Sequence, residues 1–176
     1  IYGKRLLEVC GEKEIKTKLI ISKAAEEIIE YELDQRPKEL RKKSTESYRI
    51  NDIGAEIASG SVKTDGMVIA PCSMKTIGSI ASGIADNLIT RAADVTLKED
   101  RKLVLVPRET PLNQIHLDNL GHLNTAGATI LPAMPGFYHG PRSVDDIVDF
   151  IVGKILNQFN VEHQLFDSWE GLEGRP

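Results

Sequence analysis

Apolar residues recur along the chain in two rhythms. Four short runs, Lys18 to Ser22, Met67 to Ala70, Leu103 to Val106 and Thr129 to Leu131, are nearly continuous in apolar character. That pattern predicts strands buried on both faces, as in a parallel sheet. Between them the apolar positions fall at helical spacing. Lys23 to Leu33 carries Ala25, Ile28, Ile29 and Leu33; Thr76 to Leu97 predicts one or two helices and Leu112 to Ala126 another; the residues from Ile1 onward also have a helix-like pattern. The clearest helix is Ser143 to Phe159, where Val144, Ile147, Val148, Ile151, Val152, Ile155, Leu156 and Phe159 keep the i, i+3, i+4, i+7 rule. Ser143 is a good N-cap, Asp146 stands three residues on, and Asp145 adds negative charge at the positive helix end. Strands alternating with helices predict an α/β fold with right-handed crossovers. Residues 35 to 65 are less regular, and the basic stretch Arg36 to Lys43 reads as a solvated loop or helix face. Beyond Val161 the apolar residues thin to Leu165, Phe166 and Trp169, which predicts an extended tail held by another surface.

Length makes this one domain: 176 residues hold a real core but not two comfortable ones. A hydrophobic share of 41% and a charged share of 27% exclude wholesale disorder and fibrous classes. The net charge of −4 argues against a protein that lives on nucleic-acid phosphates. No apolar run approaches the roughly 20 residues of a membrane span. The two cysteines, Cys10 and Cys72, are too few for a disulfide framework or a Cys-rich zinc site. They read as reduced, and the expected compartment is the cytoplasm.

Chemistry gathers where the strands end. Ala70 is followed by Pro71-Cys72-Ser73-Met74-Lys75-Thr76, Val106 by Pro107-Arg108-Glu109-Thr110-Pro111, and Leu131 by Pro132-Ala133-Met134-Pro135-Gly136-Phe137-Tyr138. Proline cannot donate to a ladder, so each proline is expected to mark where pairing stops. The residues beyond it then lie at the carboxyl edge, where open α/β sheets bind ligands. Ser73, Lys75 and Thr76 precede a helix and offer hydroxyls, an ammonium and N–H groups to an anion; Arg108 adds a planar fork, and Ser22 ends the first strand in the same layer. This predicts a site for a phosphate-bearing ligand; helix caps with a structural Arg–Glu pair are the alternative. Glu32 shares a helix face with Ile28 and Ile29. A carboxylate there is either ion-paired or an acid or base aimed into a pocket. The four histidines form no metal-binding spacing, so no metal is expected, and Cys72 abuts a buried strand and makes a poor nucleophile.

The same stretches resemble the flavin prenyltransferase (UbiX) family over essentially the whole chain. They are Ile1-Tyr2-Gly3 with Arg5-Leu6-Leu7, Ser22-Lys23-Ala24-Ala25, Pro71 to Thr76, Thr90 to Val95, Arg108 to Leu112, and Gly136-Phe137-Tyr138. The resemblance implies a Rossmann-like, flavodoxin-like three-layer α/β domain with a mostly parallel sheet, spanning 1–176 as a single flavoprotein domain whose tail from about 161 packs on a neighbouring subunit. In the family a strand and a Gly-Ala-Ser-Gly-type phosphate loop precede the position of Ile1, so the expectation is that the sequence given begins after that first strand. The implied reaction moves a dimethylallyl group from dimethylallyl phosphate onto N5 and C6 of reduced FMN, without a metal. The implied product is prenylated FMN, made for a UbiD-type decarboxylase, and the implied assembly is a homododecamer. Carried over by position, Ser22, Ser73, Met74, Lys75, Thr76 and Arg108 would hold FMN, and Tyr138 and Lys154 the dimethylallyl phosphate. Glu32 would move a proton, and Trp169 would approach the donor. Two other functions fit the same fold: an FMN-dependent decarboxylase of the phosphopantothenoylcysteine type, and a non-catalytic FMN-binding protein. Met134-Pro135 stands after Pro132 where the decarboxylases typically carry an Asn-containing motif, which argues against the first, and Glu32, Tyr138 and Lys154 together argue for chemistry and against the second.

Overall fold

The computed structural model describes residues 1–167, 169 and 171. Its elements run α1 (Tyr2–Glu12), β1 (Lys18–Ile20), α2 (Lys23–Leu33), α3 (Pro37–Lys43), β2 (Glu46–Tyr48), a 3₁₀ turn (Glu56–Ala58), β3 (Gly66–Cys72), α4 (Met74–Ala81), α5 (Leu88–Lys98), β4 (Lys102–Pro107), α6 (Gln114–Thr125), β5 (Thr129–Ile130) and α7 (Val144–Gln158). All pairings are parallel, with β3–β4–β5 forming one sheet and β1–β2 another.

Alternation along β4 builds the layers. Leu103 and Leu105 face a core made with Ile77 and Ile80 of α4, Ala93 of α5 and Leu123 of α6. Val104 and Val106 face the opposite side, against Phe150, Ile151 and Ile155 of α7, with Tyr2 and Leu6 of α1. This is the expected three-layer α/β arrangement, with every β4 residue from Leu103 to Pro107 buried. The helix α1 also reaches toward β1 through Leu7, which packs with Ile21 and Leu40. It is fastened to α7 by Arg5, whose Nε and Nη2 donate to Asp149 Oδ1 and Oδ2 at 2.6 and 3.2 Å.

Two expectations need correcting. Pairing does not stop at the first two prolines: after a register shift beyond Ile69, Cys72 pairs with Pro107. Pro107 needs no N–H to extend the sheet, because its carbonyl accepts from the Ala133 N–H at 2.9 Å. The irregular stretch 35–65 contains α3 and the short strand β2, whose polar residues Glu46 and Ser47 carry no apolar rhythm. Val161, Leu165 and Phe166 of the tail pack on apolar clusters that α7 helps to build.

Candidate functional site

The ends of β3, β4 and β5 lie side by side. The Cys72–Pro107 pair and the Ala133-to-Pro107 bond place the turn Ser73–Thr76, Arg108 and the loop from Met134 to Tyr138 next to one another. Ser73 caps α4: its Oγ accepts from the Thr76 N–H at 3.2 Å and lies 3.1 Å from Thr76 Oγ1. No acidic side chain occupies the first turn of α4, so no carboxylate competes with an anion approaching that helix end. Lys75 and Arg108 are exposed and have no ion pair among the described residues. Met74 is buried, with its side chain in the α4 core rather than in solvent. These groups fit a phosphate-bearing ligand: hydroxyls, helix N–H groups and two unpaired cations, with no carboxylate among them.

Ser22 caps α2 in the same manner, its Oγ accepting from the Ala25 N–H at 3.2 Å. Glu32 lies at the same end of the fold as Arg108. Both carboxylate and guanidinium lie near the start of α1. The expectation that Glu32 shares an inward face is not met. It is exposed, Ile28 on the same face is 50% exposed, and α2 buries none of its residues fully. Only Ala25 and Ile29 reach the core, so the apolar rhythm of α2 exceeds what its own chain covers. Cys72 next door is chemically quiet, since burial pushes its thiol up to about 12.

The second group surrounds Tyr138. Its ring meets Phe150 edge-on at 5.6 Å, His139 at 5.9 Å and Trp169 at 5.7 Å. Gly136 makes room for that ring: a Cβ there would stand 2.9 Å from Tyr138 Cε1. His139 stacks on Phe150 at 4.9 Å and 9°, and both of its ring nitrogens are buried without a hydrogen-bond partner. Lys154 carries its ammonium 5.3 Å from the Phe150 ring centre and 5.4 Å from that of Phe166, with no carboxylate partner among the described residues. The structure thus brings Tyr138, Lys154 and Trp169 around a shared set of rings. Sequence reasoning missed Phe150, Phe166, His139 and Gly153 in this group. One signal was present, a glycine inside the last helix, Gly153.

The larger surface groove, about 690 Å³, lies elsewhere. It runs between α2 and α3 and is lined by charged side chains, among them Glu26 and Arg41, which pair with each other at 2.5 Å. None of the residues predicted to hold flavin or donor lines it.

Comparison with known proteins gives a consistent picture. A family described as Flavoprotein matches residues 1–156. The chain is 49% identical over 173 residues to a protein named flavin prenyltransferase UbiX from Methanothermobacter thermautotrophicus, covering 98% of this chain and 91% of that one. It is 46% identical over 169 residues to another of that name from Methanocaldococcus jannaschii, covering 96% and 91%. The crystal structure of AnUbiX (PadA1) in complex with FMN and dimethylallyl pyrophosphate matches with a TM-score of 0.95 at 44% identity, over 97% of this chain and 90% of that one. A dodecameric FMN-dependent UbiX-like decarboxylase from Escherichia coli O157:H7 matches with a TM-score of 0.94 at 46% identity, over 97% and 92%.

Proposed function

This chain belongs to the Flavoprotein family and, within it, to the UbiX flavin prenyltransferases, and from that premise we propose how its own residues transfer a dimethylallyl group from dimethylallyl phosphate to reduced FMN. Reduced FMN, when bound, supplies the nucleophilic N5 and C6 atoms that accept the five-carbon group. The Ser73 and Thr76 hydroxyls, the first-turn N–H groups of α4, Lys75 and Arg108 would hold the flavin phosphate. Ser22 adds a second capped helix head, and Met74 floors the site by packing.

Tyr138 and Lys154 hold the donor. As the allylic C–O bond breaks, the leaving phosphate gains charge. A fixed ammonium and a hydroxyl donor therefore stabilise the transition state more than the ground state. The Lys154 charge is not spent on an ion pair, and the rings of Phe150 and Phe166 around it keep water away. Trp169, edge-on to Tyr138, extends the apolar wall toward the dimethylallyl tail. Glu32 offers a carboxylate oxygen that takes up a proton released during transfer. Product passes to a UbiD-type decarboxylase in the cytoplasm, and the chain assembles as a dodecamer, as the E. coli relative does.

The observation that carries this reading is the side-by-side placement of the Ser73 turn, Arg108 and the Tyr138 loop by the Cys72–Pro107–Ala133 pairing. It predicts two separable defects. Lys75 and Arg108 variants lose flavin. Tyr138→Phe and Lys154→Ala keep flavin and demand more dimethylallyl phosphate or transfer more slowly, which donor titration of FMN-loaded protein measures. Parent-like donor use in both latter variants, or loss of flavin from them, contradicts the assignment.

A further inference from the structure

Gly153 stands inside α7, one residue before Lys154, and glycine is a poor residue for a helix interior. Its reason lies in the tail. A Cβ at Gly153 would stand 2.5 Å from Phe166 Cε1 and 2.6 and 2.9 Å from His163 Cε1 and Nε2. No side chain fits there while these two tail rings keep their places. His163 is bonded through both nitrogens. The Leu165 N–H donates to Nδ1 at 3.3 Å, which leaves the ring proton on Nε2, 3.1 Å from Asn157 Oδ1 on α7. The imidazole is therefore hydrogen-bonded at both nitrogens and seated on the glycine. Phe166 lies 5.1 Å from it, 4.9 Å from Phe150 and 5.4 Å from the Lys154 ammonium. Three residues farther on, Trp169 meets Tyr138.

We propose that His163, seated on Gly153, is a positioning residue for prenyl transfer: it pins the tail to α7 so that Phe166 closes over Lys154 and Trp169 abuts Tyr138. The proposal rests on Tyr138 and Lys154 being the donor residues. The described residues after Val161 form no helix or strand that would hold them in register, so the tail depends on a few anchors, and ordering it without them costs conformational entropy. His163 and Gly153 act on the donor through Phe166 and Trp169 and touch no reacting atom.

The test uses FMN-loaded protein and three variants, Gly153→Ala, His163→Ala and His163→Gln. The glutamine amide carries a donor and an acceptor in one neutral group and serves as the conservative rescue. Trp169 is the chain's only tryptophan, so its emission reports the tail directly. Gly153→Ala and His163→Ala are expected to shift that emission to the red and to raise the KM for dimethylallyl phosphate roughly tenfold, the scale of one lost hydrogen bond. FMN affinity stays at the parent level, and His163→Gln recovers much of both signals. In a Phe166→Ala background, His163→Ala adds nothing further to KM. Parent-like emission and KM in both disrupting variants overturn the proposal, and so does a shifted emission with parent KM. Lys154→Ala, measured alongside, shows whether the reading of the donor residues has fallen with it.

Discussion

Arg108 and Lys75 carry charges that no carboxylate among the described residues answers, whereas Arg5 is held in a fork by Asp149. The same substitution therefore has different consequences. Arg108→Ala and Lys75→Ala remove a charge-assisted contact to ligand, about 1.5–3 kcal/mol, and weaken FMN binding roughly tenfold to a hundredfold with little change in Tm. Arg5→Ala lowers Tm and leaves FMN affinity alone. Flavin fluorescence titration with thermal melts separates the two, and unchanged flavin affinity in both site variants contradicts the phosphate placement. Glu32→Gln keeps shape and removes acid–base capacity, which typically contributes 10²–10⁴-fold, so single-turnover transfer slows while FMN stays bound. A rate within about threefold of the parent would make Glu32 a surface carboxylate. Its sequence position misled in an instructive way. Spacing put it on a face with Ile28 and Ile29, but spacing cannot say how much of an apolar face a single chain covers, and here Ile28 stays half-exposed. The helix caps at the strand ends were legible because a serine just before an apolar helical period marks one, as Ser22 and Ser73 do. The ring cluster around Tyr138 was not, because Phe150 and Phe166 look like ordinary core residues until the tail is folded back.

At the scale of elements, α7 repays the reading made of it. Ser143 Oγ accepts from the Asp146 N–H at 3.1 Å, and Asp146 Oδ2 accepts from the Arg142 and Ser143 N–H groups at 2.7 and 3.0 Å, closing a capping box. Ser143→Ala is expected to cost about 1 kcal/mol, read as a fall in denaturation midpoint. The bond from the Arg142 N–H, followed by that with Ser143, holds the Asp146 carboxyl below its ordinary pKa. A depressed carboxylate stabilises the folded state above the unfolded aspartate pKa, about 3.9, and that contribution is lost as pH falls through the folded value. The Tm gap between parent and Asp146→Asn therefore narrows as pH drops below about 4; a gap that stays constant into acid contradicts the linkage. Helices α2 and α7 were predicted to within a residue, since each pairs a long apolar period with a serine cap. Strand β2 was not, because Glu46-Ser47-Tyr48 is three residues long and pairs along only one edge, with β1. Prolines 71 and 107 were read as ladder ends because only their missing N–H was considered; a carbonyl still accepts.

At the scale of the molecule, Tyr31 is 93% exposed and Ile28 50%, both on α2, and the proposed dodecamer would give such side chains a partner to bury against. Tyr31→Glu is expected to lower the sedimenting mass of the particle; an unchanged mass moves the subunit contact elsewhere. The layered fold gathers the loops after β3, β4 and β5 at one edge, and the proposed function makes that edge a single site for two phosphate-bearing molecules. The most direct test of that claim is mass analysis of the flavin after the protein is incubated anaerobically with reduced FMN and dimethylallyl phosphate. The account predicts that the flavin gains one five-carbon prenyl unit, that the gain requires the donor, and that it is slowed in Lys154→Ala. Flavin recovered at its starting mass, from protein that has bound both ligands, would contradict it.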